Sequence, residues 1–295
     1  MYGEAYSHNR LFAYLGNQID CTYRRLTRYH AHNMTSSFST VYAVSTDARD
    51  AAWNMSFDTS LFKLFRTGKF QKQFGSGSML WRFYSWSPPA VSLGYGQRSG
   101  EIDEESCRAR NIEIVKRPTG GRAVFHIDEF TYSVLAETGQ SNTVIYAMVH
   151  EVIREALLHM GIKADFCRTT PDMRKHYDSA ESVSCFTASA RNELHVDGRK
   201  IVGSAQRRSK NVILQHGSLL LSGRHKMISE LLRCKDKRVL ASIADDLDHK
   251  TVSVAELTGN IPDFSVLGKT MIAAISRKLE TEVQLLEEQD IKNLF

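Results

Sequence analysis

The sequence predicts an α+β fold: a mixed, largely antiparallel sheet flanked by helices, followed by a short helical C-terminal extension. Two observations carry this. Short strand-like pieces at 80–86, 90–93, 112–115, 131–135, 193–196, 200–205 and 212–221 fall in hairpin-like pairs, punctuated by glycines and Pro88-Pro89. Among them lies one strong helical period, Ile145, Val149, Val152, Ala156 and Met160, which Gly161 ends.

In chain order, residues 1–46 differ from the rest. They hold His8, His30 and His32, show no sustained apolar period and are Ser/Thr-rich from 35 to 40. They are expected to form a poorly ordered extension, or an arm that docks on the domain. The period then changes: Trp53, Phe57, Leu61 and Leu64/Phe65 recur at helical spacing, with Thr46 or Asp47 as cap and Gly68 as stop. The mixed domain is expected to span 47–222. Residues 223–295 form the helical extension, where Leu267, Met271, Ile275 and Leu279 share a face. Glu280, Glu282, Glu287, Glu288 and Asp290 against Lys292 leave the last 16 residues at −4, while the whole chain carries +5.

Composition excludes several classes. The chain has 295 residues, 42% hydrophobic and 24% charged, enough for a sizeable core. It lacks a run of about 18 apolar residues, so no spanning helix is expected. Cys21, Cys107, Cys167, Cys185 and Cys234 form an odd set without a C-x-x-C pair, which speaks for free thiols in a reducing compartment and against a zinc knuckle. The N-terminus has no leader pattern, so a cytoplasmic protein is expected. Residues 199–210 carry five cations and no acid, but no aromatic for base stacking; a nucleic-acid partner is not expected.

Several motifs fail on inspection. Gly268-Lys269-Thr270 has Asp263 where a P-loop needs its first glycine, His150-Glu151 is followed by Arg154 where a zinc protease needs histidine, and no G-x-S-x-G occurs. No metal site is expected.

Four stretches hold. In residues 116–126, Gly120-Gly121 follows a strand, a geometry that turns consecutive amides inward to bind an anion. Arg117 and Arg122 flank it with permanent positive charge; the plainer alternative is a hairpin turn with solvated arginines. Asp197-Gly198 is a strong two-residue turn that places Lys200 on a returning strand, facing the same way as Val202 and Ser204. Gly203, Ser204 and Ala205 are small, as close approach of another group requires; the plainer reading is an edge-strand lysine. Gln215-His216-Gly217-Ser218 ends an apolar strand, and a lone histidine there is more often structural. Cys185-Phe186 precedes the 193–196 strand; beside Lys200 or an arginine its thiol becomes a thiolate, and otherwise it is a small buried hydrophobe.

Taken in order, the stretches 82–89, Ser-Leu-Gly-Tyr-x-Gln at 92–97, Arg-Pro-Thr-Gly-Gly-Arg-Ala-Val at 117–124, 129–134, Gly-Arg-Lys-Ile-Val-Gly-Ser-Ala-Gln at 198–206 and Gln-His-Gly-Ser at 215–218 resemble the lipoate–protein ligase and octanoyltransferase family. That family shares its catalytic fold with biotin–protein ligases. The resemblance implies that 47–222 is a biotin/lipoate ligase-like catalytic domain acting in protein lipoylation. It implies a substrate cleft formed by Arg117, Thr119, Gly120, Gly121, Arg122, Ala123, Val124, Phe125 and His126 over the acyl donor, with Gly198, Gly203, Ser204, Ala205 and His216. Lys200 is expected to hold the acyl carbonyl. The acceptor is expected to be a lysine of a lipoyl domain of 2-oxoacid dehydrogenases or of glycine cleavage H protein.

Two routes fit such a scaffold. In the thiol route, Cys185 takes an octanoyl group from octanoyl-acyl carrier protein as a thioester and no cofactor is needed. In the ligase route, free lipoate is activated with ATP and Mg²⁺. Gly-Gly-Arg in place of a third glycine, and the position of Cys185-Phe186, resemble the cysteine-dependent octanoyltransferase branch, which is the reading favoured here. Thr187-Ala188-Ser189-Ala190 departs from that branch's usual Asp-Ala-Pro-Ser. The departure motivates a further alternative, an inactive acyl-binding relative.

Overall fold

The computed structural model describes residues 38–167 and 192–295. Its centre is a six-stranded mixed sheet built from β1 (Thr40–Ser45), β2 (Ser78–Tyr84), β6 (Glu129–Glu137), β10 (Val202–Ser209), β11 (Val212–Leu220) and β12 (Val283–Leu285), in the order β10-β11-β6-β2-β1-β12. β1 runs parallel to β2 and β12, whereas β2–β6, β6–β11 and β10–β11 are antiparallel.

Both faces of this sheet are covered, so its strands read as near-continuous apolar runs. Period-two alternation sorts them into two cores. Val41, Ala43, Met79, Trp81, Phe83, Tyr132 and Val134 pack with α4 (Asn142–His159), α7 (Phe264–Leu279) and Val254 of the short α6 (Val254–Thr258). Tyr42, Val44, Leu80, Leu135 and Leu214 pack on the other side with α1 (Ala51–Arg66) and α2 (Lys69–Phe74). The helices at 145–160 and 267–279 form where the apolar spacing predicts them.

A second sheet of β3 (Ala90–Leu93), β4 (Glu113–Lys116) and β5 (Val124–His126), ordered β4-β3-β5, carries the double-glycine loop between β4 and β5. Val91, Leu93, Ala123 and Phe125 join it to Cys107 of α3 (Glu104–Ala109), to Ile228 and Leu231 of a 3₁₀ turn (Gly223–Leu231), and to Ile243 and Leu247 of α5 (Lys237–Lys250). A third, small sheet of β7 (Asp165–Phe166), β8 (Leu194–Val196) and β9 (Arg199–Lys200) contains the expected Asp197-Gly198 turn. There Asp197 and Gly198 adopt φ of 48° and 78°, as a tight hairpin demands.

Four expectations are corrected. Residues 38–46 are not an extension: β1 is an inner strand of the main sheet, and its TVYAVS run is apolar because it feeds both cores. The expectation for residues 1–37 lies outside the described residues. The cap of α1 is Asp50, whose side chain accepts from the Trp53 amide at 2.7 Å, rather than Thr46 or Asp47. The strand expected at 200–205 breaks at Ile201, since Lys200 pairs with β8 while Val202 pairs with β11. Residues 223–295 are helical as expected but are no appendage. β12 pairs with β1, and α8 (Glu288–Lys292) buries Ile291 in the core under α1.

Candidate active site

Where the two larger sheets meet, a cleft of about 460 Å³, its mouth included, opens. Its walls come from Met55 of α1, Tyr84 at the end of β2 and Trp86 beyond it, Ser92, Val124 and His126 of the second sheet with Arg117 just after β4, Thr131 of β6, and Lys200, Gly203, Ser204, Ala205, His216, Gly217 and Ser218 around β10 and β11. The surface that the cleft exposes is chiefly apolar, although nine of its fifteen lining residues carry polar side chains, most of them buried.

The strands sit this close because two glycines permit it. A Cβ on Gly217 would stand 2.4 Å from the Gly203 carbonyl oxygen and 2.4 Å from Ser204 Oγ. A Cβ on Gly94 would stand 2.0 Å from the Gly121 oxygen, so the 94–96 turn lies directly on the double-glycine loop. That loop is also tied by the Tyr95 amide donating to the Thr119 carbonyl at 2.8 Å.

Arg117 is not an anion receptor standing beside the loop. Its guanidinium is buried and donates to the Ser92 carbonyl (2.9 Å), the Gly120 carbonyl (2.8 Å) and the Arg122 carbonyl (2.6 Å). It therefore works as a brace that shapes the loop. Arg207 and Arg208 are likewise engaged. Arg207 donates to the Pro118 carbonyl at 3.0 Å and lies over Tyr95, while Arg208 donates to the Thr138 and Gln140 carbonyls.

Lys200 is 1% exposed, and its ammonium meets Glu193 Oε1 at 2.8 Å. Beside it, His150 Nε2 lies 2.8 Å from Ser204 Oγ, which shares a 2.5 Å hydrogen bond with the Tyr132 hydroxyl. Burial drives the His150 pKa down to about 3, reinforced by the charge of Lys200 and opposed by its bond to the Asn192 carbonyl.

Two carboxylate–histidine pairs face the cleft. Asp58 accepts from Arg82 (2.7 Å), Tyr84 (3.0 Å) and Ser133 (2.9 Å), with His216 Nδ1 at 3.4 Å. Burial alone would raise the Asp58 pKa; Arg82 and His216 outweigh it and hold it at about 2. Burial lowers the His216 pKa, and Asp58 offsets part of that. His216 Nε2 lies 2.5 Å from Thr119 Oγ1, so the histidine links β11 to the loop. In the second pair, Glu129 Oε1 meets His126 Nδ1 at 2.7 Å. Trp86 stacks on His126 at 4.1 Å.

Of the residues expected here, Arg117, Val124, His126, Lys200, Gly203, Ser204, Ala205 and His216 come together as cleft lining. Thr119 sits one layer behind, on His216. Gly120, Gly121 and Arg122 form the loop itself, with Gly121 at φ 94°. Ala123 and Phe125 point away into the apolar cluster of the second sheet, and Gly198 sits in the β8–β9 turn. Cys185 lies outside the described residues. Sequence reasoning missed Asp58 and His150, polar residues within largely apolar helices, and Glu193, just ahead of β8, while Glu129 opened the recognised 129–134 stretch without an assigned role. Arg82, Trp86 and Ser92 lay in recognisable stretches without an assigned role. No group of three metal-ligating side chains occurs among the described residues. Nor is any helix there long and apolar enough to cross a membrane.

Residues 50–276 match the lipoyl protein ligase A/B catalytic domain. The octanoyltransferase LipM of Geobacillus kaustophilus is 37% identical over 214 residues, 70% of this chain and 74% of that protein. The one from Macrococcus caseolyticus is 32% identical over 265 residues, 85% and 93% respectively. The archaeal lipoylation system of Thermoplasma acidophilum, a bi-partite lipoate protein ligase and its E2 lipoyl domain, gives a structure that matches with TM-score 0.68 at 18% identity, over 86% of this chain and 90% of that one. Lipoate-protein ligase A bound with ATP matches with TM-score 0.64 at 18% identity, over 87% and 92%. At that identity the two structures speak for the fold alone.

Proposed function

The chain belongs to the lipoyl protein ligase A/B catalytic-domain family, and from that premise we propose that it is an octanoyltransferase of protein lipoylation. It moves an octanoyl group from a carrier-protein thioester to the lysine of a lipoyl domain. The acceptor is a lipoyl domain of 2-oxoacid dehydrogenases or glycine cleavage H protein, the setting is the cytoplasm, and ATP is not required.

The observation that carries this reading is Lys200. It is a buried cation, held by Glu193 at 2.8 Å, in the wall of an otherwise chiefly apolar cleft. A saturated acyl chain gains from apolar walls, whereas its carbonyl oxygen gains negative charge during transfer and needs a fixed donor. Lys200 supplies that donor where strand β9 gives way to β10.

The nucleophile proposed from the sequence is Cys185. Its thiolate attacks the thioester carbonyl, a new carbon–sulfur bond forms, and the carrier thiolate leaves. The acceptor amine then attacks the enzyme thioester, an amide forms, and the cysteine sulfur leaves. One specific observation favours a second reading, an ATP-dependent lipoate ligase: Thr187-Ala188-Ser189-Ala190 departs from the usual octanoyltransferase continuation.

The test is lysine modification of a lipoyl domain, read by mass. Octanoylation from octanoyl-acyl carrier protein without ATP is expected, with Lys200→Ala slower by about 10²–10³-fold. Modification only when lipoate, ATP and Mg²⁺ are supplied would replace the transferase with the ligase.

A further inference from the structure

Beside the cleft lies a strongly charged face with no part in the chemistry described so far. Residues 59–100 contain no aspartate or glutamate, and neither do residues 198–229. The fold brings the cations of these two stretches together. Arg66 and Arg207 both stand over the Phe62 ring, 5.9 and 5.7 Å from its centroid, so the end of α1 and the end of β10 share one face. Gln71 of α2 donates to Glu137 Oε2 at 3.1 Å, and Asn211 of the β10–β11 turn donates to Glu137 Oε1. That shared carboxylate sets Lys69 and Lys72 of α2 beside Lys210 of the turn.

The cations of this face are unlike those elsewhere. On the rest of the surface they meet carboxylates: Arg110 with Glu230, Lys226 with Glu256, Arg277 with Glu155. Lys63, Arg66, Lys69, Lys72 and Lys210 are exposed and form no ion pair among the described residues. With Arg207 added and Glu137 set against them they carry +5, which is the net charge of the entire chain, so all other residues sum to zero. A single-signed field of this kind steers an oppositely charged partner.

The face adjoins the cleft. Arg207 lies two residues beyond Ala205 and four beyond Gly203 on the same side of β10, about 13 Å of strand, and both of those residues line the cleft. Arg207 also donates to the Pro118 carbonyl at the base of the double-glycine loop and stands 5.1 Å from the centroid of the Tyr95 ring. Tyr95 is exposed. An exposed tyrosine backed by an arginine is a common anchor of protein interfaces.

We propose that this face docks the donor carrier protein, with Tyr95 and Arg207 at its edge and the acyl arm entering the cleft along β10. The proposal rests on the acyl-transfer reading above and adds where the donor binds. Charge selects the donor over the acceptor. A carrier-borne acyl group hangs from a phosphopantetheine arm whose phosphodiester is an anion, whereas the acceptor presents a lysine, a cation at neutral pH. A face of one positive sign attracts the first and repels the second. No bond changes here: the face supplies encounter and orientation, and the thioester is exchanged in the cleft.

The test reverses one exposed lysine on each of α1, α2 and the turn, as Lys63→Glu/Lys69→Glu/Lys210→Asp in the full chain; aspartate tolerates the φ of 55° at position 210. Lys237→Glu on α5, outside the face, is the control. Octanoylation of a lipoyl domain is read by mass with two donors, octanoyl-acyl carrier protein and octanoyl-pantetheine, which lacks both phosphate and carrier. The triple variant is expected to lower the ratio of kcat/KM for the carrier donor to that for the pantetheine donor by about 10-fold at about 0.01 M salt, where the Debye length is about 30 Å. The fall shrinks to about 2-fold or less at about 1 M salt, where that length is about 3 Å. Lys237→Glu is expected to keep the wild-type ratio. An unchanged ratio in the triple variant at low salt, or an equal fall in Lys237→Glu, overturns the docking face and leaves the acyl transfer standing. A ratio that holds while transfer from octanoyl-enzyme to the lipoyl domain slows gives the face to the acceptor and overturns the proposal as well. A wild type that uses neither donor overturns the acyl-transfer reading and the docking face with it.

Discussion

Asp58 and Glu129 are both buried carboxylates, and each touches a histidine that lines the same cleft, yet their surroundings differ in kind. Asp58 has a guanidinium at 2.7 Å, two hydroxyls, and its histidine only at 3.4 Å. Among the described residues Glu129 likewise has two hydroxyls, Thr131 and Ser218, but neither guanidinium nor ammonium; its histidine is at 2.7 Å, and one oxygen is orphaned. A carboxylate neutralised by a fixed charge is spent on holding helix α1 to strand β2. One left un-neutralised keeps its charge for whatever proton its histidine receives.

The largest expected effect breaks the first pair. Arg82→Met leaves Asp58 buried without its counter-charge and is expected to cost about 3–5 kcal/mol of stability, whereas Arg82→Met with Asp58→Leu recovers most of it. Urea midpoints of the two variants check this; equal loss in both would mean that packing rather than charge is what Arg82 supplies. Next, Gly217→Ala puts a Cβ at 2.4 Å from the Gly203 oxygen and is expected to destabilise by about 1–3 kcal/mol. A Gly217→Ala protein as stable as wild type would show that β10 and β11 can separate.

Smaller again is the pH term. His150 is held neutral in the folded chain with a pKa of about 3, against an ordinary 6.5. The unfolded chain binds the proton first, so stability is full above 6.5 and falls as pH drops through 6.5 toward 3. His150→Gln is expected to flatten that fall between pH 7.5 and 5.5, read by thermal melting at each pH; an unchanged slope would assign it to other groups. The smallest stability effect belongs to Glu129→Gln, about 1 kcal/mol or less, because the amide oxygen keeps the acceptor role. A loss as large as that of Arg82→Met would erase the contrast between the two pairs.

The fold class, α4, α7 and the Asp197-Gly198 turn were legible because each has a periodic or turn signal. β1 was not, since a strand buried on both faces has no polar alternation to read, and its Ser/Thr-rich approach resembles a loop. Part of the cleft wall was legible from ordered short stretches: Lys200, His126 and His216 come together there, while the double glycine turns the loop that follows β4. The supporting carboxylates were not. Asp58 shares its helix with one other buried polar residue, Asn54, which also meets Arg82, and Glu129 begins a strand, so only the packed structure brings Arg82 to one and His126 to the other.

Acyl transfer through a cysteine thioester leaves a mass increment on the protein, which intact mass reads. The protein and its Cys185→Ser variant are incubated with octanoyl-acyl carrier protein in the absence of ATP. An octanoyl increment that neutral hydroxylamine removes is expected on the wild type, and none on the variant. No increment on the wild type, together with lipoyl-domain modification that requires lipoate, ATP and Mg²⁺, would contradict it.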